Sequence, residues 1–188
     1  MKKIEEFAMK KYAGFSDTHN MKGHIDIVVK NVELIAQKEG GDIGICKAAA
    51  LLHDVGYVQD HKEHAKYSAI MTGEFLRGLG LDEGTVERVI ACVEYHGWRD
   101  FNERATLEAK IVGDADRLEL FGPWGIIRVF EDNLTNIKMS INEALAHTED
   151  LTEKAFKSLH TKTAKEMARP LYENSREFFR LLKRQRGF

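Results

Sequence analysis

Between Ile43 and Asp54 nearly every residue is apolar, and the run ends in His53-Asp54. A helix that is hydrophobic all round has no face to give to water, so it belongs at the centre of a bundle and other helices must surround it. The rest of the chain supplies them. Ile25, Val28, Val29, Val32, Ile35 and Ala36 follow a helical stripe, as do Val86, Val89, Ile90 and Val93, and in the last helix Leu171, Phe178 and Leu182. From Met139 to Arg169 a charged, weakly apolar pattern predicts two helices, with Ile141, Leu145, Leu151, Phe156, Leu159 and Met167 inward. Proline occurs only at Pro123 and Pro170, both where a helix can begin. Gly40-Gly41-Asp42, Gly78 to Gly84 and Phe121-Gly122-Pro123 divide the chain into helical lengths, and no strand-like alternation is sustained. The expected fold is all-α: a single-domain helical bundle over 1–188, with a motif-bearing core near 20–130 and C-terminal helices near 139–187 packed on it.

Length and charge narrow the function. A chain of 188 residues buries roughly 70% of its unfolded surface, enough for a core without staples. Lys and Arg number 28 against 30 Asp and Glu, a net charge of −2, which leaves no one-signed patch large enough for a nucleic-acid surface. The basic run from Arg180 to Arg186 reads as a solvated helix end. No segment has the length of apolar sequence that a membrane helix requires. Cys46 and Cys92 lack CxxC spacing and fit buried thiols in a reducing compartment. Met1 to Phe15 lacks a signal-peptide core, so a cytoplasmic location is expected.

The chemistry concentrates at His53-Asp54. A carboxylate in the last turn of a helix faces the negative end of the dipole, and burying it unpaired costs on the order of several kcal/mol. A divalent cation satisfies Asp54 and draws on neutral His53 at once. Further ligands must then arrive on the core faces of other helices. His24 opens the stripe of Val28 and Ile35, and His64 shares a face with Ser68, Met71, Phe75 and Leu79. His96 closes the stripe of Val86, Val89 and Val93. Asp114 lies in the sector of Ile111, Ala115 and Leu118, whereas Asp116 points to the opposite side of that helix. Each has a plainer reading: a lone histidine on such a stripe is a hydrogen-bonded core residue, and Asp114 pairs with Arg117 along its own helix. Periodicity does not separate His61 from His64. His19, His147 and His160 lack such context and are assigned to surface or packing.

The ordered set His24, His53-Asp54 and Asp114 resembles the H…HD…D signature of the HD superfamily of metal-dependent phosphohydrolases. Ile111-Val112-Gly113-Asp114-Ala115-Asp116-Arg117-Leu118, followed by Gly122 and Gly125-Ile126-Ile127-Arg128, is similar to a subgroup of small single-domain bacterial and archaeal HD hydrolases. The resemblance implies that His24, His53, Asp54 and Asp114 hold a divalent ion: Mn, Co, Ni, Mg, Zn or Fe. His64 and His96 fall where the fuller H…HD…H…H…D version places ligands for a second ion. Members with one metal use histidines near these positions as substrate contacts or proton donors. The chain departs from guanosine tetraphosphate hydrolases, which carry a Glu-Asp pair where this one has Val58-Gln59-Asp60, and it lacks the HHE and GYP features of cyclic dinucleotide phosphodiesterases.

The implied activity is hydrolysis of a phosphoester or phosphoanhydride in a small phosphorylated molecule, with a nucleotide the family-level favourite. Asp54 is the expected ligand that also orients the attacking water or serves as its base, and His64 or His96 the general acid or second-metal ligand. Arg117, and less strongly Arg128, are candidates to bind phosphate. Tyr57, Tyr67, Tyr95, Trp98 and Trp124 are candidates to stack a base, beside their commoner role in packing. Two other readings accompany this one: an HD-type di-iron oxygenase using the same six ligand types, and a non-catalytic metal or nucleotide sensor. Monomer and homodimer are both compatible with the sequence.

Overall fold

The structure, a computed structural model, describes residues 1–57, 59–60, 62–96 and 105–187. Among these residues it is all-α, with no strand. They group into two compact units, Met1–Asp116 and Arg117–Phe188.

The first unit is built round the helix that the sequence marks as central. Its helices are α1 (Lys2–Tyr12), α2 (Asp26–Glu39), α3 (Ile43–Leu52), α4 (His64–Gly78), α5 (Glu83–Glu94) and α6 (Leu107–Arg117), with a π-helical turn at Met21–Ile25 leading into α2. α3 packs against α1, α2 and α5. It can do so because Ala48, Ala49 and Ala50 let neighbouring backbones approach while Ile45, Cys46, Leu51 and Leu52 fill the space between them; all seven are buried. Asp42 caps α3 by accepting from the Ile45 N–H at 3.1 Å, satisfying one of the orphan donors of its first turn. The Val28, Val32, Ile35 and Ala36 face of α2 is buried as its periodicity predicts, and so are Val86, Val89 and Val93 of α5.

The second unit holds a 3₁₀ turn (Leu118–Leu120), α7 (Gly122–Thr135), α8 (Ile141–Lys157) and α9 (Lys162–Arg186), with α7, α8 and α9 in mutual contact. Here the predicted faces are corrected. α8 buries Ala144, Thr148, Thr152 and Ala155, while Ile141 is 62% exposed. The helix has two faces of helical spacing, and the close-packed one is made of small residues that hydropathy undervalues. α9 likewise buries Thr163, Ala164, Ala168, Ser175 and Phe179, leaving Leu171 and Phe178 exposed. Pro170 does not begin α9 but lies inside it, because Thr161 starts the helix earlier by accepting from the Ala164 N–H at 3.2 Å. The backbone bond lost at Pro170 is offset nearby, where Tyr172 stacks on Phe156 at 4.0 Å and donates to Glu153 at 2.7 Å.

Candidate metal centre

The centre forms where the buried helix stops. At the end of α3 the His53 ring turns back so that Nδ1 lies 2.8 Å from the Ala50 carbonyl oxygen. A carbonyl only accepts, so Nδ1 carries the hydrogen and neutral His53 presents a bare Nε2 lone pair. His96, just past α5, repeats the device with the Val93 carbonyl, also three residues back. Two helix ends thus fix two imidazoles in the tautomer that suits metal ligation. His24 arrives from the π-helical turn, whose entry is held by Asn20 accepting from the Lys22 and Gly23 N–H groups at 3.0 Å each. His64 opens α4.

Asp54 is the hub. Its Oδ2 lies 3.6 Å from His24 Nε2 and 3.4 Å from His53 Nε2, which are themselves 3.2 Å apart. Its Oδ1 lies 3.4 Å from both His64 Nε2 and His96 Nε2, again 3.2 Å apart. One carboxylate therefore belongs to two triads, His24–His53–Asp54 and Asp54–His64–His96, each able to hold a metal ion. Ligands about 2.1 Å from a cation sit roughly 3.0–3.4 Å from one another, and the observed separations fall at or just beyond that range. Asp54 Oδ1 is buried with no hydrogen-bond partner among the described residues. An acceptor left in that state is costly unless a cation completes it, so the donor set fits divalent metals with nitrogen and oxygen preference.

A further carboxylate lies beside the first triad, and it is Asp116. Its Oδ1 lies 3.3 Å from His24 Nε2 and 3.6 Å from His53 Nε2. Helical spacing placed Asp116 on the side of α6 away from the centre, and that reading is corrected. The periodicity argument assumed that ligands come from the most buried face, but Asp116 and His64 have side chains 26% and 25% exposed and edge the opening of the site. Asp114 sits fully buried on the same helix.

The charges are mutually supporting. Burial alone lowers the His53 pKa, yet the Asp54 carboxylate, helped by Asp116, carries it well above the usual histidine value. Burial alone raises Asp54, yet His53 and then His24 hold it well below the carboxylate range. Asp116 is held down in the same way by His24 and His53. Two carboxylates held below their usual range set an electrostatic demand that a divalent ion meets.

Sequence reasoning passed over Tyr12. Tyr12, the last residue of α1, is buried and its hydroxyl accepts from the Asp54 N–H at 3.2 Å. Burial and then the Asp54 charge push its pKa up, so it stays a neutral phenol. The spacing Ile4, Ala8, Tyr12 was the available signal that this ring points inward. Arg117 and Arg128, the candidate phosphate ligands, are both buried, and Arg128 Nη1 donates to the Glu119 carbonyl oxygen at 3.3 Å. Tyr57 lies against His64 with ring centres 5.6 Å apart, Tyr95 is partly exposed, and Tyr67 and Trp124 are exposed. His61 and Trp98 lie outside the described residues.

Residues 21–120 match the HD domain family, and the chain belongs to it. It is 32% identical to the uncharacterized protein YpgQ of Bacillus subtilis over 111 residues, which cover 57% of this chain and 54% of that one. It is 29% identical to ribonuclease Y of Rubrobacter xylanophilus over 128 residues, 68% of this chain but 24% of the relative. The chain thus spans about half the length of one of these relatives and a quarter of the other. Among solved structures, B. subtilis YpgQ in complex with ADP superposes with a TM-score of 0.75 at 27% identity, covering 98% of this chain and 96% of that one. A predicted HD superfamily hydrolase from an uncultured Thermotogales bacterium superposes with a TM-score of 0.70 at 25% identity, covering 98% and 92%. No helix among the described residues is long and apolar enough to cross a membrane.

Proposed function

We propose that this chain is a divalent-metal-dependent phosphohydrolase that cleaves a phosphoester or phosphoanhydride bond in a nucleotide, either releasing orthophosphate from a monophosphate or pyrophosphate from a triphosphate. The observation that carries the reading is Asp54, whose two oxygens each face a separate histidine pair. The ADP complex of YpgQ supports a nucleotide as the substrate class. When bound, a divalent ion polarises a phosphoryl oxygen as a Lewis acid and acidifies a water. Asp54 orients that water for attack on phosphorus. As the bond to the leaving oxygen breaks, His64 at the opening of the site is placed to return a proton to that oxygen, or else joins His96 as ligand to a second ion. His24, His53 and Asp54 would hold the first ion together with Asp116 or Asp114; Arg117 remains the candidate partner of the substrate phosphate. The protein acts as a cytoplasmic enzyme on a small molecule.

The experiment is product chromatography after incubating metal-stripped protein, reloaded with Mn²⁺, Co²⁺ or Mg²⁺, with nucleoside mono-, di- and triphosphates. Metal-dependent release of orthophosphate or pyrophosphate is expected, lost equally in His53→Ala and Asp54→Ala. Full activity in either variant overturns the metal-centred mechanism. No release anywhere in the panel, together with about two irons per chain and oxygen uptake, transfers the site to oxygenase chemistry.

A further inference from the structure

Beside the polar centre stands a set of rings that the hydrolytic steps do not use. His19, in the loop after α1, stacks on Tyr57 with ring centres 5.4 Å apart and planes 24° from parallel. Phe15 leans on Tyr57 at 5.9 Å, and Tyr12 meets Phe15 edge-on at 5.0 Å. The row touches both triads, since the His19 ring is 6.3 Å from that of His24 and the Tyr57 ring 5.6 Å from that of His64. Tyr12 is fully buried and belongs to the core, but Phe15, His19 and Tyr57 are each partly exposed.

The rings are also held in place. His19 Nδ1 lies 3.0 Å from the Thr18 hydroxyl and 3.3 Å from that of Ser16, which fixes the imidazole plane. Behind it the loop is clamped onto the π-helical turn, so closely that a Cβ on Gly23 would stand 1.8 Å from the Asp17 carbonyl oxygen. On the other side the Tyr57 N–H donates to the Asp54 carbonyl at 3.0 Å, and the Gly56 N–H donates to Ser68 Oγ at 2.9 Å. A Cβ on Gly56 would lie 2.5 Å from the Ser68 nitrogen, so only glycine lets this turn seat against α4. Rings already locked in a near-parallel arrangement spare a ligand the ordering cost of forming a stacking surface.

We propose that His19 and Tyr57 form a stacking platform for the base of a nucleotide whose phosphates reach the Asp54 centre. The ligand class is then a nucleoside phosphate rather than an aliphatic phosphoester. This inference rests on the nucleotide reading of the site and adds the residues that select for the nucleoside. Stacking on aromatic side chains is sequence-tolerant and is worth roughly a 5- to 150-fold change in affinity per base.

The test is titration calorimetry on the full Mn²⁺-loaded chain with two non-hydrolysable probes, α,β-methylene-ADP and methylenediphosphonate, which share a phosphate mimic and differ in the nucleoside. His19→Ala and Tyr57→Ala should each weaken α,β-methylene-ADP about 5- to 100-fold while leaving methylenediphosphonate within about twofold, and Tyr57→Phe should retain the wild-type preference. Equal losses for both probes would make the rings structural and overturn the platform. Unchanged α,β-methylene-ADP binding in both alanine variants, with the wild type still preferring it, overturns the platform alone. A wild type that binds the two probes equally overturns the platform and the nucleotide reading together.

Discussion

Two clusters of buried polar side chains, one in each unit, serve opposite ends. In the second, Asn133 donates to Thr148 Oγ1 at 3.2 Å, Thr148 to the Ala144 carbonyl at 2.6 Å and Thr152 to the Thr148 carbonyl at 2.8 Å. Each of these groups finds its partner one turn away or on the adjoining helix, and the result is a close-packed seam. In the first, His24, the pair His53-Asp54, His64 and His96 come from separate elements and converge, and Asp54 Oδ1 has no hydrogen bond among the described residues. Buried polar groups that satisfy one another are architecture; groups that converge and remain unsatisfied call for a ligand.

Breaking the hub tests that contrast most severely. Asp54→Asn should lower hydrolysis by at least about a thousandfold, as expected when an electrostatic element of the reacting centre is lost. Chelation gives the matching stability readout. A site saturated about a hundredfold over its Kd contributes about 2.7 kcal/mol, so stripping the metal should lower the wild-type Tm by roughly 5–10 °C and leave that of Asp54→Asn almost unmoved. A calorimetric scan with and without chelator decides it, and equal chelator sensitivity in both proteins would remove Asp54 from the site.

The pair Asp114 and Asp116 sharpens the comparison next. Asp116→Asn should weaken metal binding by about 10- to 100-fold with little change in the apo-protein melt, because its side chain is partly exposed and it pairs with His24 and His53. Asp114→Asn, in a fully buried position, should instead cost stability. Competition titration against a fluorescent chelator reads the first effect and thermal unfolding the second. The reverse pattern would return the ligand role to Asp114.

How much of this was legible in the sequence follows from the kind of side chain involved. The all-α class, the central position of α3 and the inward stripes of α2 and α5 were legible, since large apolar residues at regular spacing leave few alternatives. That His24, His53, Asp54, His64 and His96 end or open such stripes was legible too, and the structure brings them together. Asp116 was misplaced because its partly exposed side chain lies at the rim of the core, where a helical wheel reads polar residues as solvent-facing. Tyr12 was missed because its contact with Asp54 depends on how α1 returns to the end of α3, which no local period encodes. The small-residue faces of α8 and α9 were hidden for another reason: Ala, Ser and Thr carry little hydropathy, and they are buried there for closeness rather than for transfer energy.

The second unit gives the next effect in size. Asn133→Ala removes the donor to Thr148 and leaves a small void in a buried seam, so it should cost about 1–3 kcal/mol and lower Tm by several degrees. Metal stoichiometry should stay that of the wild type. Loss of bound metal in this variant, measured by elemental analysis on folded protein, would mean that the two kinds of buried polar group are not independent.

The smallest effect concerns buried groups in the first unit that neither converge on the centre nor bind anything. Cys46 and Cys92 are free and buried, and burial pushes both thiols from 9.0 up to about 12. Because the folded values lie above the unfolded ones, the folded chain retains protons that the unfolded chain releases. The resulting stability is fully present below about pH 9 and is lost as pH rises towards 12. Denaturant melts between pH 8.5 and 11 should therefore show stability falling with a slope that the Cys46→Ala/Cys92→Ala double variant partly removes. At pH 8 neither thiol should react with a disulfide reagent until the protein unfolds. Rapid native labelling, or an alkaline slope unchanged in the double variant, would show that these side chains are less sequestered than their burial indicates, and that the first unit opens around α3 and α5 as well as at its metal centre.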